Sequence, residues 1–156
     1  MTMVTSFWVA LRRDEHGGSV VETAIIMPTL LMLMGGASDV AMGYWTKMQT
    51  QQAAARSVEL ANVGGLERLS VDDLKAEAAS AAKVSTGQVT VTRWLECDGV
   101  TQTLFEGSCA EGQIVGRYVS VRIDNSYKPI LGPLLPVKLA ADGKMHFRGF
   151  SSLRLQ

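Results

Sequence analysis

Few residues in this sequence are of the types and spacings that do chemistry, and the first is Glu22. It is a lone carboxylate near the start of an apolar stretch, GGSVVETAIIMPTLLMLM, residues 17–34, and no other formal charge follows until Asp39. Burying a carboxylate in an apolar medium is expensive without a partner, so this position marks Glu22 as a functional-site residue. The plainer alternative is a hydrated carboxylate at a membrane–water boundary. Cys97 and Cys109 are the two cysteines. An even count, close in sequence and beyond the apolar run, reads as one disulfide, with two reduced thiols as the alternative. Such a bridge closes a short loop and stabilises the fold by roughly 3 kcal/mol in the chain-entropy model. His16 and His146 stand apart, so no ligand cluster at zinc spacing exists and no metal or cofactor is expected. Asp73 and Glu77 lie four apart and read as the solvated face of a helix, not as an acid pair. With no nucleophile–base constellation, the expectation is a protein that is not an enzyme.

The elements that position these residues follow from hydropathy. The chain has 156 residues, 15 basic and 15 acidic side chains and no formal net charge. Its basic residues are scattered, which argues against nucleic acid as a partner. The hydrophobic excess is local. With Gly35, Gly36 and Ala37 the apolar stretch reaches the ~17–25 residues that span a bilayer as a helix. Arg12 and Arg13 precede it, so that end is expected in the cytoplasm and the remainder across the membrane. No twin-arginine pattern follows the pair.

From Val20 to about Asn62 the pattern predicts one long helix with Pro28 inside it, a placement membrane helices tolerate when neighbours compensate. Gly35, Gly36 and Gly43 add a softer patch. Beyond Asp39 the pattern becomes amphipathic. Ala41, Tyr44, Met48, Ala55 and Val58 are expected on the buried face of a stalk. Tyr44 and Trp45 sit where an interfacial aromatic belt belongs, and Asp39 reads as an ordinary residue of the outer interface. Gly64 and Gly65 are the stop signal.

Ser70-Val71-Asp72-Asp73 predicts the start of a second, short helix. Leu74, Ala78 and Ala81 form its apolar stripe and Gly87 its C-terminal signal. From Gln88 the period changes to two, with Val89 and Val91 alternating with threonines. Val119, Val121 and Ile123 alternate with Tyr118, Ser120 and Arg122 in a half-buried strand. Cys97 to Cys109 enclose a glycine-containing loop. Lys128–Pro136, KPILGPLLP, is a loop or edge, whose Ile130, Leu131, Leu134 and Leu135 either fold back onto the core or form a partner surface. In a last strand Met145, Phe147, Leu153 and Leu155 face one way and His146, Arg148 and Arg154 the other.

Gly17–Gly18 followed by Glu22 now takes on more meaning. A glycine, four residues, then a glutamate heading an apolar helix looks like the processing site of class III signal peptides in type IV pilin-like proteins. More narrowly, Val21-Glu22-Thr23-Ala24, Pro28 and the continuation MQTQQAAARSVELA resemble the N-terminal segment of TadE-like pseudopilins of the tight-adherence (Tad/Flp) pilus system. The close resemblance covers about residues 12–62. It implies cleavage between Gly17 and Gly18 by a prepilin peptidase, and a role for Glu22 in processing and assembly. The implied partners are other pilin or pseudopilin subunits, the peptidase, an inner-membrane assembly platform and membrane lipid. The implied location is the bacterial inner membrane, with the C-terminal part in the periplasm and a share of the protein in an extracellular pilus. Thr23 replaces the aromatic residue common in the main pilins of that system, which are also much smaller. The resemblance therefore points to a minor pilin serving surface adherence.

The expected architecture is α+β: a leader at 1–17, a transmembrane and stalk helix at 18–63, and a head at 64–156 holding a small antiparallel sheet and one short packing helix. Two other readings compete. One is an unprocessed, signal-anchored envelope protein whose periplasmic domain binds a partner. The other is a secreted protein cut after Gly35-Gly36-Ala37, a site that leaves the Gly17/Glu22 spacing without a purpose.

Overall fold

The computed structural model describes residues 18–64, 70–132 and 139–155. Its first element is α1, Gly18–Gly64, a 47-residue helix that carries Pro28 without interruption. From Val20 to Met34 every residue is exposed. It belongs to a helix long and apolar enough to cross a membrane. From Gly35 onward one face of the helix is covered.

That face differs from the one the hydropathy pattern suggests. Tyr44 and Met48 are exposed, as is Ala41, and Ala55 is only half-buried; of the expected stripe Val58 alone is in the core. The buried positions are Asp39, Gly43, Thr50, Ala53, Ala54, Ser57, Val58 and Ala61. The reason is steric. The sheet approaches α1 so closely that only small side chains fit between them. A Cβ on Gly43 would stand 2.9 Å from Met145 Cε, and one on Gly149 would stand 2.5 Å from the carbonyl oxygen of Thr50. The buried hydroxyls are satisfied within the helix: Thr50 Oγ1 donates to the Thr46 carbonyl at 2.7 Å and Ser57 Oγ to that of Ala53 at 2.8 Å.

Helix α2, Val71–Ala82, starts in a capping box. Ser70 Oγ accepts from the Asp73 N–H at 3.1 Å, while the Asp73 carboxylate accepts from the Ser70 N–H at 3.2 Å. Its end lies earlier than Gly87. Lys83 takes the left-handed conformation, φ 56°. The N–H groups of Lys83 and Val84 then reach the carbonyls of Ser80 and Ala79, the Schellman arrangement that glycine usually supplies. Gly87 lies instead in a 3-10 turn, Thr86–Gln88.

Four strands follow: β1 Val89–Cys97, β2 Val100–Gln102, β3 Val115–Tyr127 and β4 Met145–Arg154. They form one antiparallel sheet in the order β2-β1-β3-β4. The β1–β2 hairpin turns on Asp98 and Gly99, with φ 50° and 80°. An Asp-Gly pair is suited to such a type I′ turn, where both central residues need positive φ. The inner face of the sheet presents Val89, Val119, Val121 and Ile123 to Ala53, Ala54, Val58 and Ala61 of α1 and to Leu74, Ala78, Ala79 and Ala82 of α2. Strand β4 runs in the same direction as α1, from Met145 beside Gly43 to Gly149 beside Thr50. At the next residue the Gln51 side chain closes the edge of the sheet: its Nε2 donates to the Phe150 carbonyl at 2.8 Å and its Oε1 accepts from the Phe150 N–H at 3.2 Å. The arrangement is α+β: a long apolar N-terminal helix, a four-stranded antiparallel sheet and one short helix.

Candidate functional site

Gly17 lies outside the described residues, and Gly18 is the first residue of α1. Glu22 follows one turn later on the exposed, apolar part of the helix. A carboxylate held on a regular helix with no head around it is presented sideways, to whatever medium or neighbour surrounds the helix. The remaining chemistry-bearing residues are far from it. Cys97 and Cys109 form a disulfide with their Cα atoms 5.6 Å apart. Since Cys97 pairs with Val115 at the end of the sheet away from Asp39, the bridge ties down the loop at the tip of the head most distant from Glu22.

Asp73 and Glu77 do structural work: the first caps α2 and the second lies 3.9 Å from Arg56 on α1. His146 is bound to Asp142 at 3.0 Å on the surface. The carboxyl of Asp142 is held below its ordinary range chiefly by the Lys144 N–H, against a smaller opposing effect of burial. Among the described residues no group of three His, Cys, Asp or Glu side chains is placed to hold a metal ion.

Asp39 is the residue whose importance the sequence conceals. It is 2% exposed. Its Oδ1 accepts from Tyr127 Oη at 2.8 Å and from the Ile130 N–H at 3.0 Å, and its Oδ2 accepts from the Leu131 N–H at 2.6 Å. Two backbone N–H groups and one phenol thus satisfy both oxygens of a buried carboxylate. Burial pushes the Tyr127 phenol up, and the bond to Asp39 and its charge add to the shift. Asp39 therefore clasps the end of β3 and the start of the next connection to the helix at the point where the covered face begins. One turn below, Gly35 makes room for Leu131: a Cβ there would stand 2.5 Å from Leu131 Cδ1. Further up, Asn125 Nδ2 donates to Thr50 Oγ1 at 3.0 Å, a second polar link between β3 and the helix. The available sequence signal was the spacing Gly43, Thr50, Ser57, seven residues apart, with Asp39 four before the first.

The outer face of the sheet carries a Trp94–Tyr118 stack with centroids 5.2 Å apart. Trp94 Nε1 donates to Glu96 at 2.8 Å. Beside it, a cavity of about 320 Å³ is lined by Glu96, Asp98, Ile114, Tyr118 and Arg154 among others. Its polar groups are largely engaged with one another: Asp98 accepts from the Ile114 N–H and Arg154 donates to the Val115 carbonyl.

No curated protein and no solved structure matches the chain. Residues 17–59, which run from the glycine pair through the exposed apolar helix and all but the last buried position of the seat for the sheet, match the family model described as TadE-like protein.

Proposed function

We propose that the protein is a membrane-inserted minor pilin, a pseudopilin of a Tad/Flp-type pilus, cut by a prepilin peptidase between Gly17 and Gly18. The observation that carries this reading is the first part of α1. From Val20 to Met34 it is exposed on every side, and Glu22 is the one charged residue in it. The family match falls on the same residues. Glycine at the cut leaves the backbone open to a membrane peptidase. Cleavage frees an α-amine at Gly18, at nearly the depth of Glu22. In a packed bundle of helices the Glu22 carboxylate of one subunit pairs with that amine on its neighbour, and removing one member of such a buried pair costs ~3–5 kcal/mol. Arg12 and Arg13 keep the leader in the cytoplasm, which puts the sheet and the Cys97–Cys109 bridge in an oxidising compartment. The partners are other pilin subunits, the peptidase, an inner-membrane assembly platform and lipid, and the pilus serves adherence to surfaces.

The intact mass and N-terminal sequence of protein purified from membranes of cells holding the peptidase test this. A chain beginning at Gly18 is the expected result. A chain that retains Met1 to Gly17 in those cells supports an unprocessed, membrane-anchored envelope protein, and one beginning at Ser38 supports a secreted head.

A further inference from the structure

The apolar surface of α1 continues past the point where the head begins. Away from the sheet, Val40 and Met42 are about half exposed, and Tyr44 and Trp45 are 64% and 65% exposed. The first basic residue beyond the apolar run is Lys47. Aromatic rings with a polar tip collect where hydrocarbon meets lipid headgroups, so Tyr44 and Trp45 mark the outer edge of the bilayer on this helix. Length agrees. The part exposed on every side, Val20–Met34, rises only about 22 Å, whereas the hydrocarbon core of a bilayer is about 30 Å thick. The remaining span must come from residues beyond Met34, where the head already covers one face.

The head therefore starts below the aromatic belt. Asp39 holds the backbone of Ile130 and Leu131, and Leu131 lies against Gly35. Trp45 is higher than Asp39 by about 9 Å along the helix axis. The segment clasped at Asp39 is suited to that depth. Its backbone N–H groups at Ile130 and Leu131 are already satisfied by the carboxylate, which lowers the cost of placing loop backbone near lipid. Pro129 has no N–H and is buried. Ile130 turns its side chain outward and is 87% exposed. Lys128 is exposed beside it, on a stem long enough for its ammonium to reach lipid phosphates.

We propose that Ile130 and Lys128 form a second membrane contact, in which this corner of the head dips into the outer bilayer interface beside α1. Ile130 enters the upper acyl region and Lys128 stays among the phosphates. The contact adjoins α1 through the Asp39 bonds to the Ile130 and Leu131 N–H groups, and the proposal rests on the reading of that helix as a membrane span. Two contacts, one through the bilayer and one on its surface, fix the tilt of the head, which a helix alone leaves free.

The test uses the full chain with its native disulfide intact and one added cysteine carrying an environment-sensitive fluorophore, reconstituted in phosphatidylcholine vesicles with or without quenchers placed at known depth on the acyl chains. Three variants are compared: Leu31→Cys in the span, Ile130→Cys, and Ile114→Cys at the far end of the sheet, where the side chain is 69% exposed. The expected result is a loss of fluorescence at 31 with deep quenchers and at 130 with shallow ones, and no loss at 114. Quenching at 31 with none at 130 overturns the second contact and leaves the span standing. No quenching at 31 overturns both. Shielding of 130 from aqueous iodide that grows with protein-to-lipid ratio, with no response to lipid quenchers, means that a second copy of the chain covers the loop, and also overturns it.

Discussion

Gly149→Ala tests the claim that the sheet sits on the backbone of α1 and not on its larger apolar side chains. In a strand interior that change ordinarily stabilises, by about 0.4–1 kcal/mol, because alanine loses less conformational freedom on folding. Here the added methyl would stand 2.5 Å from the Thr50 carbonyl oxygen, 2.9 Å from its carbon and 3.0 Å from Thr50 Cγ2. Two of those atoms are helix backbone and cannot rotate away, so α1 and β4 must separate. Overpacking of this kind costs about 1–3 kcal/mol, and from the middle of that range, less the ordinary gain, the balance is a net loss of about 1–2 kcal/mol. For a chain of this length that lowers the midpoint of thermal unfolding by about 2–8 °C. The change also strains the Gln51 bonds to Phe150 and the Asn125 bond to Thr50, which flank the contact. The assay is thermal or urea unfolding of the full chain in one detergent, followed by the near-ultraviolet signal of the tryptophans. Gly87→Ala is the control, since the nearest atom to its Cβ is Ser85 Oγ at 4.0 Å. It should be neutral or stabilising. If Gly149→Ala unfolds with the control, the tight seat is wrong.

Other outcomes follow from the same structure. Asp39→Ala removes both acceptor oxygens from the Ile130 and Leu131 amides, and their hydrogen exchange should rise well above that of neighbouring strand amides. Reduction of Cys97–Cys109, or Cys109→Ser, should cost roughly 3 kcal/mol in urea unfolding and leave α1 helical by circular dichroism. Lys83→Gly should raise the urea midpoint, by about 1 kcal/mol in stability, because glycine meets the left-handed backbone without steric penalty. Glu22→Ala should leave membrane insertion unchanged but reduce the processed chain or the sheared pilus fraction; normal piliation would remove the role assigned to this carboxylate.

The sequence announces those elements whose signals are local. A charge-free apolar run, a serine followed three residues later by an acid, and valines alternating with polar residues each predict a segment from within that segment. What it conceals is set by partners distant in the chain. The covered face of α1 is one case. Hydropathy ranks Tyr44 and Met48 above Gly43 and Thr50, but packing is decided by how closely β4 approaches, and lipid or a neighbour can take the larger side chains. Asp39 is another: a lone acid after an apolar run looks like a water-facing residue until Tyr127 and the two amides beyond it are folded back upon it. Lys83 had no local mark, because glycine is the usual occupant of its conformation. The Asp98-Gly99 turn, by contrast, was open to view, a hairpin signal hidden inside what reads as an undivided loop between two cysteines.

The direction of β4 along α1 has a mechanical consequence. Helix and strand run the same way, and their contacts are distributed from Gly43 with Met145 to Gln51 with Phe150. A pull on the head along the helix axis therefore loads these contacts together, in shear, instead of one after another as in peeling. The Asp39 clasp at one end and the small-residue seat along the length resist as a unit. In an assembly that is drawn out of a membrane, such a joint passes tension from the head to the apolar helix without a weak first link.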